Sequence, residues 1–373
     1  PMPNKTLSSS IMDNKIDEDM IDAVSEDEIK NNIDGKYDID DILKADKPSN
    51  DDYKKQIIDA LYQLNENKKL YLIPDKLATY SPKFLHMLEN ILDPDHIGLH
   101  LVYSQFRTLE GIGILQLVLN ANGFAQFKLK KELDTWDIDI NEEDIDKPKY
   151  VLYTGTETSE EKELIRNVFN GNWNYLPLSL SDKLKSMTAN NIYGELIKIF
   201  MITASGAEGI SLKNVRFVHI MEPYWHPTRI KQVIGRARRI CSHQDLPEQH
   251  RTVDVFLYLM TFTEKQLADD GSIELKLKDS SKLHKSVTVT SDQALFEIAT
   301  IKEDITDKIL HAVKESSMDC LIHTSINNDE KLNCVNFGEA MTLIKNKLSS
   351  SSSSNNNPAS PTAAEEESLS NID

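Results

Sequence analysis

The chain has 373 residues, and its 42 lysines and arginines stand against 60 aspartates and glutamates, a net charge of −18 that counts against a nucleic-acid partner held by whole-chain charge. No uninterrupted apolar run approaches bilayer-spanning length, and Pro1-Met2-Pro3-Asn4-Lys5 lacks a signal-peptide apolar stretch, so no membrane and an intracellular setting are expected. Three cysteines, Cys241, Cys320 and Cys334, are too few and odd in number for a disulfide framework and fit no tetrahedral zinc pattern; they are expected to be buried, reduced thiols, with no metal site.

Residues 1–55 are acidic, rich in Asn and Lys and poor in aromatics, a composition that cannot bury enough apolar surface to offset ordering entropy; disorder is expected there. From about residue 77 short apolar runs alternate with helical patterns, the signature of an α/β fold with a parallel sheet and helices on both faces. Strands are expected at 98–104, 150–153, 196–202, 216–221 and 253–260, each nearly continuous in apolar residues as a doubly buried strand requires. Helices are expected at 109–120, with Gly123 as its stop, and at 159–169, opened by Thr158, Ser159 and Glu161. A third is expected at 227–239, with proline in its first turn, and a fourth at 291–315, with Leu295, Ile298, Ile305, Ile309 and Leu310 on one side. The charged stretch 127–148 reads as an insertion, 271–345 as a helical extension packing back on the core, and the Ser-, Asn- and Glu-rich 349–373 as a low-complexity tail. Much of the acid lies in 17–52, 134–146 and 365–367, so the net charge says little about any one face.

The chemistry concentrates in two stretches. In the first, a strand ends at Thr203 and breaks into a turn containing Gly206, Glu208 and Gly209, leaving backbone amides bare at the carboxyl edge of the sheet, where open α/β sheets bind ligands. The Thr203 hydroxyl and those amides are suited to a nucleic-acid phosphate held without reading bases. The second is Gln232-Val233-Ile234-Gly235-Arg236-Ala237-Arg238-Arg239, where a continuous helix would put Arg236 and Arg239 on one face, with Gln232 four residues before Arg236. Two guanidinium groups converging on one point call for an anion, and a triphosphate is the natural one. The plain structural reading of the same arginines is a solvated basic face, and that of Thr203, Gly206 and Gly209 an ordinary strand-to-helix turn. Tyr224 and Trp225 follow a strand and are expected to pack the arginine helix.

With these residues in order, the chain resembles the C-terminal lobe of superfamily 2 helicases over roughly residues 77–337. Residues 203–212 resemble motif V, and 232–239 match motif VI, Gln-x-x-Gly-Arg-x-x-Arg. Residues 101–106 resemble motif IV, preceded by Ser81-Pro82-Lys83-Phe84 as in the chromatin-remodeller-like branch, and Tyr153-Thr154-Gly155 with the following helix resembles the next strand and helix of that lobe. The link Glu222-Pro223-Tyr224-Trp225-His226-Pro227, with Met318-Asp319-Cys320, is similar to helicases of large nucleocytoplasmic DNA viruses, which implies a virion or host-cytoplasm setting.

The resemblance implies a RecA-like lobe at 77–270 that uses ATP with Mg2+ and a DNA or RNA backbone. Arg236, Arg239 and Gln232 would act at the nucleotide's phosphates. Gly206, Glu208, Gly209 and Gly235 would bind nucleotide and couple it to nucleic acid, and Thr203, Ser104, Gln105 and Thr154 would touch the nucleic-acid backbone. These 373 residues contain no Gly-x-x-x-x-Gly-Lys-Ser/Thr phosphate loop and no strand-linked acidic box, so ATP and Mg2+ are expected to be gripped mainly by an N-terminal helicase lobe supplied in cis or in trans. The chain alone is expected to be inactive. A second reading is a non-catalytic adaptor that keeps the nucleic-acid surface and docks on another protein; paired nucleotide-facing arginines favour the motor.

Overall fold

The computed structural model describes residues 51–107, 111–132, 135–155, 157–204, 209–268, 279–284, 287–317, 319–320 and 332–335; the tail at 349–373 and residues 1–50 lie outside them. Four helices lead in: α1 (Asp51–Glu66), α2 (Lys68–Tyr71), α3 (Pro74–Tyr80) and α4 (Pro82–Leu92). Ordered structure therefore begins ahead of residue 77, and α1 starts inside the last five residues of the acidic segment, burying Ile57 and Leu61. The sheet and its helices follow as β1 (Leu99–Tyr103), α5 (Ile112–Ala121), β2 (Ala125–Gln126), β3 (Lys128–Glu132), β4 (Thr135–Asp139) and β5 (Lys149–Tyr153). Next come α6 (Ser159–Phe169), α7 (Leu178–Met187), β6 (Ile199–Ile202), β7 (Val215–Ile220), α8 (Pro227–Ala237) and β8 (Asp254–Leu257). The short helix α9 (Glu264–Ala268), a two-stranded ribbon of β9 (Asp279–Ser280) and β10 (Thr288–Val289), and the long helix α10 (Ser291–Glu315) complete the described part.

Six strands form one parallel sheet in the order β2-β5-β6-β1-β7-β8, so the fold is the expected α/β lobe. Every residue of β1, β6 and β7 is buried, which is why their sequences read as unbroken apolar runs rather than alternating ones. On one face, side chains of Leu101, Phe200, Ile202, Val218 and Ile220 share a core with Leu164 and Val168 of α6, Leu180 and Leu184 of α7, and Val233 and Ala237 of α8. On the other, Lys198 Nζ donates to Ile91 O of α4 at 2.8 Å and Tyr150 OH to Asn120 Oδ1 of α5 at 2.8 Å, so helices cover both faces. Strand β8 departs from expectation: it is shorter than 253–260 and only partly buried, because it is the sheet's edge.

Charge-rich 127–148 holds the hairpin β3–β4, which pattern reading misses because its apolar residues are few. They are well placed, since Leu129 and Trp136 enter the main core, Trp136 Nε1 donates to Glu160 Oε1 at 2.8 Å and Lys183 pairs with Asp137 at 2.6 Å. Helix α6 starts as expected, with Thr158 accepting from Glu161 N. Helix α10 starts in a Thr290–Gln293 capping box and docks on the lobe through Lys83–Asp292 at 2.7 Å and Lys231–Glu303 at 2.5 Å.

The expectation of three reduced, buried thiols is corrected. Cys320 and Cys334 form a disulfide with Cα atoms 5.7 Å apart, and Cys241 is exposed. Counting cysteines cannot reveal that 332–335 return to the end of α10, where Val335 N donates to Glu315 O at 2.9 Å. Among the described residues no group of three or more His, Cys, Asp or Glu could hold a metal ion, and no helix is long and apolar enough to cross a membrane.

Under the face covered by α4 lies a directional polar chain. Asn90 Nδ2 donates to Tyr258 OH at 2.9 Å, Tyr258 OH lies 2.8 Å from His219 Nδ1, and His219 Nε2 lies 3.0 Å from His100 Nδ1. Because the phenol already accepts, it donates to His219 Nδ1; His219 Nε2–H then donates to His100, leaving His100 Nε2 buried without a partner. Burial pushes the His219 pKa down to about 3 and that of His100 well below its ordinary 6.5, with the two rings also opposing each other's charge on His100. Unfolding frees both to take up protons, so stability is expected to hold near neutrality and to fall as pH drops from about 6.5 toward 3, by up to about 1.4 kcal/mol per pH unit for each ring. Urea melts across that range check it, and His219→Gln should flatten the dependence.

Candidate nucleotide and nucleic-acid interface

At the carboxyl edge, β1 ends in Ser104, which is fully buried. Its hydroxyl donates to Glu222 Oε1 at 2.8 Å, and Gln105 N donates to the same carboxylate oxygen. Glu222 follows the end of β7 and is 7% exposed; burial raises its pKa against the opposing pull of the Gln105 amide and the Ser104 hydroxyl. This carboxylate shapes the loop leaving β1, a role the sequence reading did not assign. Its signal was an acid immediately after an apolar strand. Of the loop residues expected at nucleic acid, Gln105 is half-buried and leaves only its side chain to reach outward, while Ser104 is spent inside the fold.

The ends of β5 and β6 are also joined. Thr203, 5% exposed, donates its hydroxyl to Thr154 O at 3.0 Å. Thr154 is buried in turn, and its hydroxyl and amide and the Gly155 amide all donate to the Glu157 carboxylate at 2.9–3.1 Å. Both threonines thus tie neighbouring strand ends together and hold the edge in shape.

Gly206 and Glu208 lie outside the described residues. Gly209 has φ +70° with open space where a Cβ would be, so glycine is favoured there by backbone conformation and not by crowding. Beyond it the chain crosses the face that bears α8: Ile210 and Leu212 are buried in the same core as Val233 and Ala237, and Asn170 clamps the segment through Ser211 O and Lys213 N.

Helix α8 ends at Ala237, two residues before the sequence reading ended it, and Arg238 is its C-cap. The shared-face geometry of Arg236 and Arg239 is corrected accordingly, since Arg239 stands on the turn after the helix. That turn is rigid. Ser242 N donates to Arg239 O at 3.1 Å, Cys241 sits at φ +61°, and His243 Nε2 lies 2.7 Å from Val215 O at the start of β7. A carbonyl only accepts, so Nε2 carries a proton; Nδ1 lies 2.8 Å from the Ser242 hydroxyl, which donates to Arg239 O at 2.8 Å. Arg236 is half-buried, and its Nε is fully enclosed with no hydrogen-bond partner among the described residues. Gln232 is exposed, and a Cβ on Gly235 would meet none of the described residues, so among these α8 is open around both positions.

The aromatic pair divides: Tyr224 packs against the arginine helix through Arg229, as expected, whereas Trp225 faces α10. Trp225 is 40% exposed and carries Lys302 Nζ of α10 3.8 Å over its ring, and Arg229 stands 4.8 Å over Tyr224.

A six-stranded parallel sheet with helices on both faces and an arginine-bearing helix on one of them is a RecA-like α/β lobe. Residues 128–241 match the helicase conserved C-terminal domain. A candidate ATP-dependent RNA helicase of Acanthamoeba polyphaga mimivirus is 30% identical over 260 residues, 69% of this chain and 26% of that protein. A termination factor NPH-I homologue of African swine fever virus is 33% identical over 225 residues, 54% of this chain and 29% of that protein. Nucleoside triphosphatase I of Melanoplus sanguinipes entomopoxvirus is 25% identical over 210 residues, 56% of this chain and 26% of that protein. The chain carries the C-terminal lobe of superfamily 2 helicases, with relatives in large DNA viruses, and it spans 26 to 29% of the length of these three.

Thr203→Val keeps the volume but removes the hydroxyl's hydrogen bond to the Thr154 carbonyl, so thermal or urea unfolding should show a loss of about 1 kcal/mol; an unchanged melt would mean that the hydroxyl does not hold the two strand ends together.

Proposed function

We propose that this chain is the closing half of an ATP-dependent nucleic-acid translocase. A first lobe grips ATP and its magnesium ion, and this lobe supplies Arg236 and Arg239 to the phosphates, with Gln232 positioning them. The observation that carries the reading is Arg236: a half-buried guanidinium whose enclosed Nε lacks a partner, on a helix packed beside the 209–212 segment. Such a donor is costly to bury unless an anion completes it.

In this reading Gly206, Glu208, Gly209 and Gly235 couple nucleotide to nucleic acid, and Gln105 reaches the DNA or RNA backbone from the carboxyl edge. Ser104, Thr154 and Thr203 keep that edge in shape. Backbone contacts of this kind hold a track without reading sequence, as a translocase requires.

In the two-lobed protein, Arg239→Lys is expected to lower nucleic-acid-stimulated ATP turnover by about 10³-fold or more while changing ATP affinity little. A planar guanidinium bridges two phosphoryl oxygens as charge spreads, and an ammonium cannot. Steady-state kinetics with a parallel nucleotide-binding titration check it. Near-normal turnover would return the arginines to a solvated face and favour the adaptor.

A further inference from the structure

The turn after α8 and the loop before β8 enclose a cleft of about 570 Å³, lined by Arg238, Arg239 and Arg251 together with Cys241, Ser242 and His243. Among the described residues no carboxylate lies within ion-pair distance of any of the three arginines, in a chain where acidic residues outnumber basic ones 60 to 42. Placement at a helix carboxyl end accounts for Arg238 and Arg239, whose charge the helix dipole favours. It does not account for Arg251, which comes from a different segment.

Arg251 is also held in place. Its Nε donates to Leu246 O at 2.8 Å and its Nη2 to Gln244 O at 3.2 Å, leaving three of the five guanidinium N–H groups for another acceptor. Across the cleft, the Arg239 turn is fixed to β7 through Ser242 and His243, whose ring nitrogens are both already bonded. Three exposed guanidinium groups lining one cleft, with no carboxylate beside them among the described residues, favour an anion there, and guanidinium forks match phosphate oxygens.

We propose that this cleft is a seat for a phosphate chain, with Arg238, Arg239 and Arg251 as its donors. It shares Arg239 with the nucleotide reading but is complete on this chain alone, and Arg251 lies outside the arginine motif. The phosphates can come from a nucleotide or from a nucleic-acid backbone.

The full 373-residue chain is titrated calorimetrically with inorganic tripolyphosphate. Saturable one-to-one binding is expected, weakened about tenfold or more by Arg238→Gln and by Arg251→Gln, and unchanged by Lys308→Gln on exposed α10. Arg251→Gln removes two loop hydrogen bonds, so Arg238→Gln, whose side chain makes none, keeps the test valid if the former fails to fold. Displacement of tripolyphosphate by ATP, or by a single-stranded oligothymidylate, identifies the source of the phosphates, and either outcome upholds the seat. Binding that does not saturate, an equal loss in Lys308→Gln, or wild-type affinity in Arg238→Gln overturns it. Binding by this chain with unimpaired turnover of Arg239→Lys in the two-lobed protein would keep the seat and remove the nucleotide reading; loss of turnover without tripolyphosphate binding would do the reverse.

Discussion

The rest of the structure depends on the double burial of β1, β6 and β7. Strands with helices on both faces have no side chain free to meet solvent along their length, so polar chemistry open to a ligand stands where the strands end. That constraint explains why Ser104, Thr154, Thr203 and Glu222 cluster at one edge, and why each is hydrogen-bonded to a neighbouring strand end. The outer surface of α8 also displays charge on that face, at Lys231 and at Arg238 just beyond its end. Helix and sheet share one core, so the position of the arginines is set by apolar packing at Val233 and Ala237 rather than by the arginines themselves.

Much of this was legible in the sequence, for physical reasons. Continuous apolar runs located β1, β5, β6 and β7, because a strand buried on both faces has no polar face to alternate; β8 was found too, although as an edge strand it is only partly buried. Thr158 and Pro227 marked two helix starts, since capping and proline geometry are local. The missed features all depend on distant contacts. Hairpin β3–β4 has too few apolar residues to show a period, yet Trp136 finds Glu160 and the main core. The Cys320–Cys334 bond needs a chain reversal beyond α10, and Glu222 acts on a loop 117 residues earlier in sequence.

The site was legible in kind but not in detail. Residue types at motif spacing indicated phosphate chemistry, and the fold puts the two stretches on one core. The expected division of labour shifts, however. The resemblance implied that Ser104, Thr154 and Thr203 face a ligand; in the fold each is buried, and its hydroxyl donates to a carbonyl or carboxylate beside it. Arg239 was placed on a helix because its neighbours have helical propensity. The helix stops earlier, where the serine and histidine that follow offer the backbone a tight turn instead.

That early stop gives the two arginines different foundations. Arg236 moves with α8, whereas Arg239 is bolted through Ser242 and His243 to Val215, the first residue of β7. The same strand leads at its far end to Glu222, which grips the loop leaving β1. A six-residue strand is about 20 Å long and, hydrogen-bonded on both sides, is among the stiffest members a protein can build. The arginine turn at one edge of the sheet and the Gln105 loop at the other are therefore the two ends of a single rod, and neither can be displaced along it while the other stays still.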